Sequence, residues 1–356
     1  MAFIGAYKRV ITLSPATPEA DFQVKVELTP DNFNYNRTKP NGEDLRFYQP
    51  DGTLLPYWIE KWDTLGTSII WVKVQTAGVD QLDMFYGNPL AEAASSVSNT
   101  FIREIDGLIG SWHMDEGTGD TTKDTSGYGN DGTITGATWG DGYYGKALHY
   151  DGDDYVNCGN AEVLDNTQPI AVEMRVLFES LPDAYVYLVD KYQAAYKGYR
   201  LREEKTTGYI TFLIYDGSAE YYILSNTKVT TNEWYHIVSG YDGADLHIYL
   251  NGTSDASKSV NITRAYGTSD LRLGNSHVGY QDEVRIYNRF PTAEEIVDLA
   301  NYYGYTTVNY PGKVLVRKWA DPMPTATVGD EIALITESIT LNSVITREVT
   351  LKSKLR

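Results

Sequence analysis

Apolar and polar residues alternate along most of this chain with a period of two. That is the spacing of a strand buried on one face, not the 3.6 of a helix. Phe22-Gln23-Val24-Lys25-Val26-Glu27-Leu28 is the clearest case. Comparable runs, rich in β-branched and aromatic residues, occur at 7–13, 69–74 and 82–86. Further along, 171–178, 185–190, 199–202, 209–215, 221–224, 234–240, 246–250 and 282–287 carry the same mark. Turn dipeptides punctuate them, notably Asn41-Gly42, Asp51-Gly52, Asp216-Gly217 and Asn251-Gly252. Residues 115–145 are dense in Gly, Asp, Thr and Asn and predict a long looped region between strands.

One segment departs from this period. Thr292 followed by Glu295 is a capping-box pattern, predicting a helix that runs through 296–303 and stops near Gly304. The run Ala91-Glu92-Ala93-Ala94-Ser95-Ser96-Val97-Ser98 has little to bury and marks a boundary. The expectation is therefore all-β: two consecutive antiparallel β-sandwich (jelly-roll) domains, 1–95 and 96–305, plus a small β-rich C-terminal tail, 306–356. In the tail, strands are expected at 314–319, 332–335, 338–344 and 348–352, before a basic end with Lys352, Lys354 and Arg356. Fewer than 50 residues make a poor core of their own, so the tail is expected to dock on the rest or on a partner chain.

Composition narrows the functional classes. The chain has 356 residues and a net charge of −18, with no basic patch. It lacks the cationic surface that nucleic acid or an anionic membrane requires. The 29 tyrosines, each an apolar ring with a polar tip, suit half-buried strands and binding surfaces. The lone Cys158 excludes an intrachain disulfide and reads as a small packed residue. The first residues lack the apolar stretch of a secretory signal, and no run reaches the roughly 18 apolar residues of a membrane span. An external location would then need another route, such as release within a virus particle.

The order of several motifs adds a resemblance. Leu108-Ile109-Gly110-Ser111-Trp112-His113-Met114-Asp115 opens the set, followed by Asp124-Thr125-Ser126-Gly127-Tyr128-Gly129-Asn130-Asp131-Gly132 and Gly145-Lys146-Ala147-Leu148-His149-Tyr150-Asp151-Gly152. Glu233-Trp234-Tyr235-His236, Leu246-His247-Ile248-Tyr249-Leu250-Asn251-Gly252 and Tyr280-Gln281-Asp282-Glu283-Val284-Arg285-Ile286-Tyr287 follow. Together they resemble the laminin-G-like, concanavalin A-like jelly-roll family. Asn41-Gly42-Glu43-Asp44-Leu45-Arg46-Phe47, Leu55-Pro56-Tyr57-Trp58-Ile59-Glu60 and Ile70-Trp71-Val72-Lys73-Val74 resemble the prokaryotic domain of unknown function 2341. This pairing, as in microbial surface and virus structural proteins, implies adhesion rather than catalysis.

The resemblance also directs the search for chemistry. Laminin-G-like modules hold calcium at a sheet edge, which implies Asp124, Asn130 and Asp131 as ligands, with Asp282 closing the site. The alternative is that Asp124 and Asn130 only stabilise turns. Concanavalin-like glycosidases that resemble the endoglucanase branch carry Glu-x-Asp-x-x-Glu on one strand. The nearest segment here, Glu173 to Glu179, has Arg175 in place of the Asp and its last Glu displaced. Zincin, nucleophile-elbow and phosphate-loop motifs are absent. The chain is therefore expected to be a non-enzymatic carbohydrate-binding or adhesion component of a virion or cell surface, likewise bound to other such subunits as a homo-oligomer. Tyr192, Tyr196, Tyr199, Tyr221, Tyr222 and Tyr280 are the candidate platforms for glycans or a host surface, against the alternative of cross-strand packing. Rival readings are a purely structural virion or filament subunit and a degenerate glycoside hydrolase.

Overall fold

The structure, a computed structural model, describes residues 5–165 and 169–334. Antiparallel β-sheet dominates, as the alternation predicts. The chain divides into two compact units, Met1–Ser96 together with Pro324–Arg356, and Val97–Met323.

In the first unit, Tyr7–Ser14 pairs with Gln81–Tyr86 on one side, and Arg46–Tyr48 and Leu54–Leu55 extend that side of the sheet. Phe22–Leu28, Ser68–Val74 and Tyr57–Lys61 make a second, three-stranded sheet. The alternation of Phe22–Leu28 holds in space from Val24 onward, although Gln23 is buried too. Val24, Val26 and Leu28 are buried, while Lys25 and Glu27 are exposed and form an ion pair at 2.9 Å.

The second unit is a sandwich of two eight-stranded sheets. The front sheet runs in the order Thr121–Thr122, Gly132–Thr135, Tyr155–Asn157, Arg272–Asn275, Val186–Asp190, Tyr199–Glu203, Tyr209–Tyr215 and Glu220–Lys228. The back sheet runs Thr138–Asp141, Lys146–Asp151, Val278–Tyr287, Ile170–Phe178, Trp234–Tyr241, Asp245–Leu250 and Thr253–Ser259, with Leu108–Trp112 beside Val278–Tyr287. Between them lies one apolar core that includes Trp112, Val156, Met174, Val176, Leu201 and Phe212. The stretch 115–145 differs from its expectation as pure loop. Short Thr-rich segments there pair into both sheets, because even two to four residues suffice once a longer strand is alongside.

The helix spans Ala293–Asn301 and carries the expected capping box: Glu295 N donates to Thr292 Oγ1 (3.3 Å) and Thr292 N donates to Glu295 Oε2 (2.8 Å). It ends before the expected position near Gly304, because Tyr303–Tyr305 leaves as a strand against Lys313–Arg317. Lys313–Arg317 also pairs with Arg103–Asp106, and the resulting small sheet shares an apolar cluster with Ala171, Tyr287 and Leu299. Helix and small sheet thus cover part of the outer face of the back sheet.

The segment 306–356 is not a separate body. Lys313–Arg317 belongs to the second unit, whereas Thr325–Val328 and Ile332–Ala333 pair with Tyr7–Ser14 in the first. A segment too short to enclose its own core completes the sheets of two larger ones. The strands expected at 338–344 and 348–352, and the basic end, lie outside the described residues.

Candidate functional site

On the front sheet, alternation sets which side chains meet the core. Val156, Leu273, Val189, Leu201 and Phe212 point inward. Their neighbours, Asn157, Arg272, Asp190 and Arg200, form a row on the outer face, each directly across from the next. Arg200 grips Asp190 through Nε (2.8 Å) and Nη2 (3.2 Å), the bidentate geometry that fixes a guanidinium. Its plane lies over the Tyr192 ring at 4.0 Å and the Tyr187 ring at 4.6 Å. Asp190 Oδ1 also accepts the Tyr192 backbone N–H (3.0 Å), so strand end, cation and ring are locked together.

Beside this row is a polar cleft of about 360 Å³. Tyr192, Ser269, Asp270, Arg272 and Asn275 line it. Its loop wall is held from below. Buried Lys191 donates to Ser269 O (2.6 Å), and Gln193 Oε1 accepts the Thr268 N–H (2.6 Å). Burial lowers the Lys191 pKa, although Asp165 and Asp270 oppose that shift. Asp270 Oδ2 takes the Asn157 amide (2.9 Å), and the Arg272 guanidinium lies over the Tyr155 ring at 4.6 Å. Among the described residues, the Ser269 hydroxyl, the Asn275 amide and the Arg272 N–H groups have no protein hydrogen-bond partner. A second open cleft of about 460 Å³ shares Asp270 and is lined by Asn130, Asp131 and Asn157. The arrangement offers a ring, a cation, a carboxylate and neutral donors along one continuous rim. This chemistry suits a hydroxyl-rich ligand.

The expected tyrosines separate into several environments. Tyr192 lines the cleft. Tyr196 is exposed on the same loop, 6.2 Å from the Tyr215 ring. Tyr199 is a correction: it is fully buried and its hydroxyl donates to Leu164 O (3.0 Å), because it lies on the core side with Leu201. Tyr221 likewise packs toward the core, with its hydroxyl on Asp216 (2.9 Å). Tyr222 is exposed but lies at the far end of the outer row, across Leu213 from Arg200. That is four strand spacings from Arg272, or roughly 19 Å. Tyr280 is on the outer face of the back sheet, its ring 4.7 Å from His149 and 6.2 Å from Trp234.

Of the expected calcium ligands, Asp124, Asn130 and Asp131 lie together, bonded to one another, and Asp282 does not join them. Asp124 Oδ1 accepts the N–H groups of Ser111 (3.0 Å) and Ser126 (2.9 Å), and Oδ2 accepts both N–H (2.8 Å) and Nδ2 (2.9 Å) of Asn130. A carboxylate already saturated by four donors is a turn organiser. Asp131 accepts the Asp124 N–H (2.9 Å) and pairs with Lys123 (2.6 Å). Asp282 belongs to the back sheet, buried, with Oδ2 on the Tyr144 N–H (2.9 Å) and Oδ1 unpartnered. Burial and neighbouring Glu283 push its carboxyl far above the usual range.

The segment resembling a glycosidase strand is also occupied otherwise. Glu173 is buried, and Oε1 meets Arg285 Nη1 (2.9 Å) and His236 Nε2 (3.3 Å), while Oε2 accepts the Tyr287 hydroxyl. Burial alone would raise its pKa, but the Arg285 guanidinium and these hydrogen bonds hold it at about 2. Arg285 also binds Glu283 and the Gly304 carbonyl. Arg175 donates from Nη2 to the Leu299 (2.9 Å) and Ala300 (2.7 Å) carbonyls at the helix end. Glu179 lies apart, with His149 Nε2 at 3.0 Å. A carboxylate locked in its charged form under a helix has neither the proton nor the access that a general acid needs.

Sequence reasoning missed Ser269, Asp270, Arg272 and Asn275. The available signal was the alternation Asp270-Leu271-Arg272-Leu273, short but with both leucines buried.

Residues 150–297 match the concanavalin A-like lectin/glucanases superfamily. They contain the tyrosine- and arginine-bearing strands of the cleft. Residues 41–115 match domain of unknown function 2341, in the expected order along the chain. No curated protein matches the chain. Among solved structures, the binding domain of Paraclostridial Mosquitocidal Protein 1 is 18% identical over 55% of this chain and 52% of that one, with a TM-score of 0.48. The binding domain of botulinum neurotoxin serotype G is 15% identical over 54% and 50%, with a TM-score of 0.45. Domain 4 of the extracellular arabinanase AbnA of Geobacillus stearothermophilus, solved with arabinotriose, is 21% identical over 55% of this chain and 98% of that domain, with a TM-score of 0.46. The chain spans about half the length of the two toxin binding domains.

Proposed function

We propose that the second unit binds carbohydrate without cleaving it, in the front-sheet cleft between Tyr192 and Arg272. In this reading the chain is a recognition component displayed on a microbial surface or a virus particle. The carrying observation is the unpaired polar rim beside a ring fixed by Arg200. Arg272, Asn275 and Ser269 meet sugar hydroxyls, and Tyr192 offers an apolar edge to the C–H groups. The locked state of Glu173 supports binding over hydrolysis. The test is a glycan array with the full chain and its Arg272→Ala and Tyr192→Ala variants. A hydrogen bond to a charged group contributes about 1.5–3 kcal/mol, so loss of Arg272 is expected to weaken binding by about tenfold or more. Arg272 is exposed, so the melting midpoint of Arg272→Ala should stay put, whereas Tyr192→Ala also loses the contacts with Arg200 and Tyr215 and should lower it modestly. Equal binding by the wild type and both variants would refute the reading.

A further inference from the structure

The first unit, of which residues 41–96 fall within the match to a domain of unknown function, has a built pocket of its own. It is an open cavity of about 510 Å³, walled by Pro30, Asn34, Tyr35, Asn36, Thr64 and Leu65, with Phe33 beneath. We propose that it binds a neutral sugar residue, independently of the cleft in the second unit.

Three features support a prepared site. The walls are rigid. Tyr35 packs edge-on against Phe33 (5.1 Å) and Trp62 (5.2 Å), and its hydroxyl is bonded to Leu28 O (2.8 Å) and Ser68 Oγ (2.9 Å). Trp62 in turn donates Nε1–H to Pro40 O (2.9 Å) and lies flat against Gly42, where φ is +68° and a Cβ would come within 2.7 Å of the indole. Gly42 therefore meets both the backbone demand and the ring.

The opposite lip is equally fixed. Asp63 Oδ1 accepts the N–H groups of Leu65 (3.2 Å) and Gly66 (2.9 Å), an Asx turn that holds Leu65 out at 93% exposure. Leu65 thus gives the mouth of the aromatic-walled pocket an exposed apolar edge.

The third feature is the lining chemistry. In a chain of net charge −18, no carboxylate or cation is among the described lining residues, which favours a neutral ligand. Asn34 Oδ1 accepts the Asn36 N–H (3.1 Å), which orients its amide and leaves Nδ2 to donate. Among the described residues, the side chains of Asn36 and Thr64 have no protein hydrogen-bond partner. The lining interleaves amides and a hydroxyl (Asn34, Asn36, Thr64) with apolar groups (Pro30, Tyr35, Leu65), a mixture that suits the hydroxyls and C–H groups of a pyranose. A lipid or an apolar peptide would leave those amides unpaired.

The test uses the full chain, with gluco-, galacto-, manno- and xylo-oligosaccharides as probes, read by saturation-transfer NMR and titration. Leu65→Asp and Asn36→Ala alter the pocket; Arg272→Ala alters the cleft. The expected result is at least one neutral oligosaccharide whose affinity falls tenfold or more in Leu65→Asp and in Asn36→Ala, yet is unchanged in Arg272→Ala. Both pocket positions are exposed, so an unchanged melting midpoint is part of the expectation. The proposal is overturned if none of these sugars binds, or if every one that binds is lost with Arg272→Ala and kept with Leu65→Asp. That second outcome leaves the cleft reading standing, so the two fail separately.

Discussion

Replacing Glu173 by Gln tests both the fold and the non-catalytic reading. The carboxylate is buried among Arg285, His236 and Tyr287, and its pKa of about 2 lies well below the ordinary 4.5. That difference corresponds to ~3 kcal/mol of preferential stabilisation of the charged form in the folded state. Removing one partner of a buried ion pair costs about 3–5 kcal/mol, because the other charge stays buried without compensation. Here Arg285 keeps Glu283 and a carbonyl, which places the expected loss near ~3 kcal/mol at pH 7. The sign of the pH dependence follows from the lowered pKa. The contribution is complete above about pH 4.5 and disappears as pH falls through about 2. The gap between wild type and Glu173→Gln should therefore shrink to less than half by about pH 3. Urea unfolding followed by tryptophan fluorescence at pH 7, 4 and 3 measures it. A difference under about 1 kcal/mol at pH 7, or one that does not narrow in acid, would refute the reasoning. It would also return Glu173 to the pool of possible proton donors.

Other perturbations have defined outcomes. His236 is held neutral by burial, with its pKa lowered to about 4, so the folded state resists protonation and stability should fall as pH drops from about 6.5 toward 4. His236→Gln, compared by thermal melts at pH 7 and 5, should flatten that decline. Asp124→Ala removes the acceptor of four N–H donors and should cost about 2–4 kcal/mol, by the same amount in calcium as in EDTA; a loss seen only with calcium would restore an ion to that loop. Gly274 has φ +80°, and a Cβ there would lie 2.1 Å from the buried Tyr150 ring, so Gly274→Ala should destabilise by about 2–4 kcal/mol in urea titration. Tyr199→Phe should cost about 1 kcal/mol through the lost bond to Leu164 and leave glycan binding unchanged on the array.

The architecture was legible wherever local periodicity carried it. Lys25 and Glu27 against Val24 and Val26, the Thr292–Glu295 cap and the Asn251-Gly252 turn, with φ of 49° and 80°, all appear as their residues dictate. The facing of tyrosines was legible only in part. Tyr199 shares its side with Leu201 and Tyr221 with Ile223, two residues on, and both point inward, whereas Tyr222 points outward. The same parity test would have separated these three. The cleft was harder, since Tyr192 and Arg272 come from segments eighty residues apart, joined by long-range strand pairing and by the bonds of Lys191 and Gln193 to 268–269. Arg175 and Glu173 showed as polar interruptions on one strand face. Nothing near them in sequence revealed that Arg285 and the helix end would enclose them. The partner of Tyr7–Ser14 at Thr325–Val328 is likewise a long-range choice without a local signal.

That pairing has a consequence for biosynthesis. Ser14 waits for Thr325, which follows 311 residues later. At the usual pace of about 5–20 residues per second, a ribosome needs roughly 15–60 s to deliver it. Throughout that interval one flank of Tyr7–Ser14 has unfilled ladder positions, the kind of edge that recruits stray strands. The intervening unit can mature as soon as it emerges, while the earlier one is finished last. A gene fragment cut after residue 96 would freeze the nascent chain at that unfinished stage, so attempts to express the N-terminal portion alone should yield an aggregation-prone product unless Thr325–Val328 is supplied in trans or by fusion.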